Sequence, residues 1–232
     1  MPATLPSPSA PLPAIAVVGG TGNLGAALAR RWAKAGLTVI IGSRDAARAR
    51  TVADELGAEL GRTIESGTNR EAAARGSLVV LTVPYAAHAA TLTDIREAAA
   101  GKLVIDTTVP LMPPKVMRVR LPPAGAAALE AQQLLGDAAT VVAAFHNVAA
   151  EKLARDVPID CDVLVFGETK AARAIAVRLA QLAGLRGLHA GSLANAAAAE
   201  ALTSVLIFIN KNYAVDGAGV RITGELRDPA PE

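Results

Sequence analysis

Gly20, Gly22 and Gly25 stand in G-x-G-x-x-G spacing directly after the apolar run Ile15-Ala16-Val17-Val18, and glycines so placed can hold a phosphate. The first permits a tight turn, the second lets the backbone approach a pyrophosphate, and the third lets the following helix pack on the strand. Thr21, Gly22, Asn23 and Leu24 then present amides at a helix N-terminus, where unpaired N–H groups and the macrodipole favour an anion. A glycine motif alone also fits a merely structural turn. Here it follows a strand, precedes the amphipathic run Ala26 to Ala35 and opens a βαβ unit, which is the setting a dinucleotide site needs.

The end of the next strand, Thr38-Val39-Ile40-Ile41, decides which dinucleotide. An NAD enzyme places an acid there to accept the ribose 2′-hydroxyl. This chain has Gly42-Ser43-Arg44, with Arg48 one helical turn on. A hydroxyl and two guanidiniums hold a 2′-phosphate through charge-assisted bonds, whereas a carboxylate would repel it. The chain reads as an NADP(H) binder. The bland alternative makes Arg44 and Arg48 a solvated i,i+4 helix face.

These residues need a scaffold, and 232 residues with 52% apolar content can bury a sizeable core. Apolar runs recur at βαβ spacing: strands at 15–18, 38–41, 78–82, 102–106 and 140–144, with a short third strand expected within Arg62 to Asn69. They are apolar throughout, as when helices cover both faces of a parallel sheet. The fold class is therefore α/β, a Rossmann-type doubly wound parallel sheet with a small C-terminal α/β domain. The expected division is a disordered proline-rich leader at 1–13, an NADP-binding domain at 14–150, and a small C-terminal domain at 151–232. Pro110, Pro113, Pro114, Pro122 and Pro123 mark a long irregular loop, Thr108 to Ala124, read as a partly apolar lid. A helix over Thr169 to Ala183 is expected to turn Arg173 and Arg178 outward, and the apolar run Leu193 to Ile209 to form a buried helix rather than a membrane span.

Composition narrows the function classes. With 23 basic against 21 acidic residues and 3% aromatics, nothing indicates a nucleic-acid or acidic-membrane surface. The single cysteine, Cys161, excludes an intramolecular disulfide and suits a reducing cytoplasm; it reads as a buried small hydrophobe. No metal-ligand cluster and no Ser-His-Asp or Cys-His arrangement is apparent. Phe145-His146-Asn147 falls just past the carboxyl end of the sixth strand, where open α/β sheets place their ligands.

Four further stretches carry a resemblance: Gly42-Ser43-Arg44 with Arg48, Thr82-Val83-Pro84-Tyr85, Ala144-Phe145-His146-Asn147-Val148-Ala149-Ala150, and Leu188-His189-Ala190-Gly191-Ser192-Leu193-Ala194-Asn195. With the glycine motif they make the chain resemble the NADPH-dependent F420 reductases, also called F420:NADP⁺ oxidoreductases, over about Ile15 to Ile222. The resemblance implies reversible hydride transfer between NADPH and the deazaflavin coenzyme F420. It implies that Gly20, Thr21, Gly22, Asn23, Leu24 and Gly25 hold the pyrophosphate and that Ser43, Arg44 and Arg48 hold the 2′-phosphate. It further implies that Val83, His88, Val109 and Ala150 line the nicotinamide end, with Ala218 in a tail closing over the site. Such a transfer needs two stacked rings and little proton movement by the protein. No residue is expected to act chemically; His146, Asn147, Val148 and Ala149 are the expected ring-facing wall, with Val109 and Pro110 opposite. His189 reads as structural.

The F420 tail is acidic, and Lys211, Arg221, Arg118 and Arg120 are available for it. Small residues at Ala194, Ala197, Ala198, Ala201 and Ser204 permit close helix packing, which suggests a homodimer against the alternative of a core helix. The rival functions are an NADPH-dependent imine, ketone or flavin reductase and a non-catalytic NADP-sensing module.

Overall fold

The computed structural model describes residues 11–227. Residues 1–10, most of the expected leader, lie outside it. Of the rest of that leader, Leu12 is not free: it packs against the core.

Six parallel strands form one sheet: β1 (Ile15–Val18), β2 (Val39–Ser43), β3 (Glu65–Thr68), β4 (Leu78–Leu81), β5 (Leu103–Asp106) and β6 (Thr140–Ala143). Their order is β3-β2-β1-β4-β5-β6, so the chain winds one way from β1 and then crosses back to pair β4 beside it. That reversal opens a crevice beyond the carboxyl ends of β1 and β4. The central strands are buried along their whole length, as their unbroken apolar runs require, and β3 is the half-exposed edge.

Helices cover both faces. On one, α1 (Asn23–Lys34) and α2 (Ala46–Leu60) share a core with Trp32, whose indole donates to the Leu179 carbonyl at 2.9 Å and meets Phe145 edge-on at 5.9 Å. On the other lie α3 (Asn69–Arg75), α4 (Tyr85–Ile95) and α5 (Ala127–Leu135). The short α6 (Ala150–Leu153) follows the loop after β6.

The C-terminal part adds β7 (Asp162–Val165), α7 (Lys170–Leu182), β8 (Arg186–His189) and α8 (Ala196–Tyr213), with β7 and β8 in a separate two-stranded parallel sheet. Its residues do not build a core of their own: Val163, Val165, Ile175 and Leu179 join the cluster that holds Trp32. A reciprocal antiparallel bridge between Ala143 and Phe166 stitches it to β6. The tail then lies along β7, with the Asp162 amide donating to Val220 O and the Asp162 carboxylate accepting from the Ile222 amide and from Arg186.

Two expectations are corrected here. Arg173 does not face out; it is 6% exposed, and its guanidinium donates to the Gly167 carbonyl at 2.6 Å. Arg178 is half-buried. The helix expected to be buried is buried along one face only: Ala196, Ala199, Glu200, Ser204 and Leu206 are covered, while Val205, Phe208 and Tyr213 are exposed. Leu193–Tyr213 is thus long and apolar enough to cross a membrane by length and composition, the one such helix among the described residues.

Candidate functional site

The glycine turn is built as the spacing requires, with one shift. The left-handed residue is Gly19, at φ 79°, not Gly20. Gly20 is obligatory for another reason, since a Cβ there would meet the Val17 carbonyl at 2.8 Å. A Cβ on Gly25 would meet Thr82 Oγ1 at 2.4 Å, which is the close helix–strand approach expected of the third glycine. Gly22 differs: its Cβ would meet nothing closer than Gly19 O at 3.4 Å. The space above Gly22 is open, and a phosphate would fill it.

Helix α1 begins at Gly22 with no side-chain cap and no acid in its first turn. Its leading amides therefore lack both intrahelical partners and a capping oxygen, and remain available to an anion. The neighbouring helices are closed off instead. Asp45 caps α2 by accepting from the amides of Ala47 and Arg48, and Thr68 with Glu71 forms a capping box on α3.

A cavity of about 700 Å³ runs from this turn to the end of β2 and the start of α4. Gly19, Thr21 and Gly22 form its floor; Ser43, Arg44 and Arg48 close one end; Val83, Pro84 and Ala86 stand at the other. Ser43 is buried, with its hydroxyl 3.3 Å from Thr21 Oγ1, and Arg48 reaches the Thr21 carbonyl at 3.5 Å. Arg44 and Arg48 are otherwise exposed, so two cations and a hydroxyl face one corner. Asp45 also lines the cavity, but its carboxylate is engaged as the α2 cap. The residues present fit a phosphorylated adenosine on the corner and a pyrophosphate over Gly22.

Asn69, which sequence reasoning missed, secures the turn: its side-chain oxygen accepts from the Gly19 amide at 3.1 Å across fifty positions. Thr82 does similar work from just past the end of β4, its hydroxyl donating to the Val18 carbonyl at 2.8 Å. Thr82 stands in the marked stretch Thr82-Val83-Pro84-Tyr85, whereas no local pattern announced Asn69.

The loop after β6 is a different structure. Phe145 takes a positive φ of 67°, a conformation costly for a bulky side chain. His146 is 6% exposed, tilted on Phe166, and neither ring nitrogen has a hydrogen-bond partner among the described residues. Burial pulls its pKa down to about 4, so the imidazole is neutral at neutral pH. Thr108 Oγ1, after β5, is likewise buried without a partner. Such groups are satisfied by a ligand or by water.

The Asn147 and Val148 side chains are engaged within the chain itself. The Asn147 amide donates to Ala199 O at 2.9 Å and to Thr203 Oγ1 at 3.0 Å on α8, and Val148 packs into the core. Ala149 and Ala150 are half-buried at the start of α6, and a Cβ on Gly217 would touch Ala149, which puts the tail bearing Ala218 against this loop. The Ala218 amide is held by Asn210 at 2.6 Å. Across the edge, Val109 is half-buried and Pro110 buried.

His88 is not among the residues lining the dinucleotide cavity; it is 1% exposed, and its Nε2 lies 2.7 Å from the buried Asp106 carboxylate. It opens instead on a second cavity of about 610 Å³ between α4 and α5, with Tyr85, Met112, Glu130 and Leu134. The Tyr85 hydroxyl donates to Glu130 at 3.0 Å, and burial with that carboxylate pushes its pKa up to about 12. Glu200, a lone acid in the apolar α8 run, caps α5 from a distance, accepting from Ala127 and Ala128 amides at 2.7 and 3.1 Å. Burial raises its carboxyl to about 7.

The sheet order, the crevice and the open helix terminus define a Rossmann-type dinucleotide-binding protein. Residues 14–110 match a family profile described as NADP oxidoreductase, coenzyme F420-dependent. The chain is 41% identical over 218 residues to the F420-dependent NADP reductase of Methanothermobacter thermautotrophicus, covering 90% of this chain and 94% of that protein. Identity to the enzyme of the same name from Methanocaldococcus jannaschii is 37% over 219 residues, covering 90% and 97%. The crystal structure of a candidate F420-dependent NADP-reductase from Arthrobacter sp. FB24 superposes with a TM-score of 0.79 at 26% identity, over 91% of this chain and all of that one. The chain belongs to the F420-dependent NADP reductase family.

Proposed function

We propose that the protein transfers hydride reversibly between NADPH and coenzyme F420. NADPH supplies the hydride, and the deazaflavin accepts it. The chain's own work is placement. The amides around Gly22 orient the pyrophosphate, and Ser43, Arg44 and Arg48 fix the 2′-phosphate, which leaves the nicotinamide directed toward Val83 and the carboxyl ends of β5 and β6. There Val109, Pro110, Ala149 and Ala150 with the His146 imidazole form the ring-facing surface, and Ala218 covers it. A neutral His146 offers one donor and one acceptor nitrogen without adding charge beside the rings. In this reading residues 14–150 hold the dinucleotide, while the part after 150 supplies the F420 side and, through the exposed face of α8 with Val205 and Phe208, a homodimer interface. The buried lone cysteine suits a reducing cytoplasm.

The observation that carries the reading is the corner of Ser43, Arg44 and Arg48 at the end of the 700 Å³ cavity, in a chain of this family. The test is to add NADPH to protein and F420 and follow the visible absorbance of F420. Bleaching is expected. NADPH that binds without bleaching F420, or protein that turns over only with an imine, ketone or flavin, would overturn it. Light scattering that gives a monomer mass at micromolar concentration would remove the dimer.

A further inference from the structure

We infer that His88 is a positioning residue for the hydride transfer: through Asp106 it fixes the segment Thr107 to Pro110 and does not itself touch the nicotinamide. The inference rests on the function proposed above for its kinetic arm, but its geometry stands alone.

Asp106 ends β5 and is fully buried. One of its oxygens accepts the Thr108 amide at 2.9 Å, and the other lies 2.7 Å from His88 Nε2. With the Asp106 oxygen as acceptor, Nε2 is the donor. Removing that donor would leave a buried carboxyl oxygen without its partner, which favours an Asp106 side chain turned away from Thr108. The residues on either side of Thr108 have bonds of their own. Thr107 donates its amide and its hydroxyl to the Leu81 carbonyl at 3.1 and 2.9 Å, and Leu111 closes a tight turn on Val109 O at 2.7 Å. Val109 and Pro110 thus follow directly on the Thr108 amide, which the Asp106 side chain holds from behind, and close into a tight turn. Glu130 and Glu200 also face His88. Burial lowers its pKa, but the bond to Asp106 and these carboxylates outweigh that, and the net direction is up. The absence of His88 from the dinucleotide cavity, and its opening on the other cavity, fit a part played from behind the wall.

The test compares H88L, which lacks the donor, with H88Q, whose amide can reach Asp106 from the same helix position. Three readings are made on each stable variant: NADPH affinity by calorimetry, single-turnover hydride transfer to F420, and hydrogen exchange of the Thr108 amide. In H88L the transfer rate should fall about 10- to 100-fold, as for a reacting group displaced by a fraction of an ångström. NADPH affinity should hold, and the Thr108 amide should exchange faster. H88Q should recover both rate and protection. Loss of NADPH affinity in step with rate would make His88 a contact residue and overturn the inference. So would an H88L protein with wild-type rate and exchange, or an H88Q protein as impaired as H88L. Wild-type protein that passes no hydride to F420 would overturn the function, while Thr108 exchange would still decide whether His88 holds the segment.

Discussion

Two loops at the carboxyl edge of one sheet are built on opposite principles. The turn after β1 is nearly all backbone: glycines at 19, 20, 22 and 25, an uncapped helix start, and a cavity in front of it. The loop after β6 is nearly all side chain: His146, Asn147 and Val148 are buried, and α8 holds the loop through Asn147 and through Thr203, which donates to His146 O at 3.0 Å. The first loop keeps its leading amides open, with Asn69 and Thr82 bracing the turn from elsewhere in the chain. The second is set by a helix fifty residues away, and its polar atoms divide between those that α8 satisfies and those, on His146, that it leaves open.

Substitutions can break this contrast, and the largest effect is expected at Gly22. A Cβ there makes only ordinary contacts in the free protein, so G22V should melt near wild type yet lose NADP by at least about 100-fold, ~3 kcal/mol, measured by calorimetry. A variant that binds normally would mean the backbone is not the cradle. On the other side of the comparison, Glu200 is held by two amides but disfavoured as an anion. Its folded pKa of about 7 lies above its ordinary 4.5, so its contribution to stability is complete below pH 4.5 and is lost as the pH rises through about 7. That loss amounts to up to about 3 kcal/mol. Urea midpoints should therefore drop across this window, and E200Q should flatten the drop; an unchanged slope would show that another group governs it.

Arg44→Ala should weaken NADPH by about 1.5 to 3 kcal/mol, the loss of a charge-assisted bond, and should weaken NADH much less. Equal losses for both nucleotides would place the 2′-phosphate elsewhere. The smallest effect sharpens the contrast most. Asn147→Ala should cost about 1–2 kcal/mol of stability by denaturant titration, because the Ala199 carbonyl and Thr203 hydroxyl lose a donor at a largely buried contact, while NADPH affinity stays unchanged. An affinity change would show that the two loops are coupled.

Exposure of α8 follows from the same division. Its inner face carries Glu200 to the start of α5 and Thr203 to the β6 loop, so it is committed to the chain. Val205 and Phe208 point away and stay uncovered among the described residues. Periodicity marks both faces as apolar and small, which is why the sequence suggested a buried helix; only the packing separates them.

Sequence alone determined the sheet, the glycine turn and the basic corner after β2, because each depends on residue types a few positions apart: unbroken apolar runs, glycines where a Cβ has no room, and Ser43, Arg44 and Arg48 in one stretch. Even there it assigned the tight turn to Gly20, since φ is set by the neighbours that crowd the chain, and these put the left-handed residue at Gly19. Tertiary structure decided what the polar side chains do. His88 went to Asp106, Asn147 to α8, Arg173 inward to Gly167 O, and Asn69 to the Gly19 amide. A buried polar group takes whatever partner the fold brings within hydrogen-bond reach, and those partners lie 6 to 52 positions away along the chain.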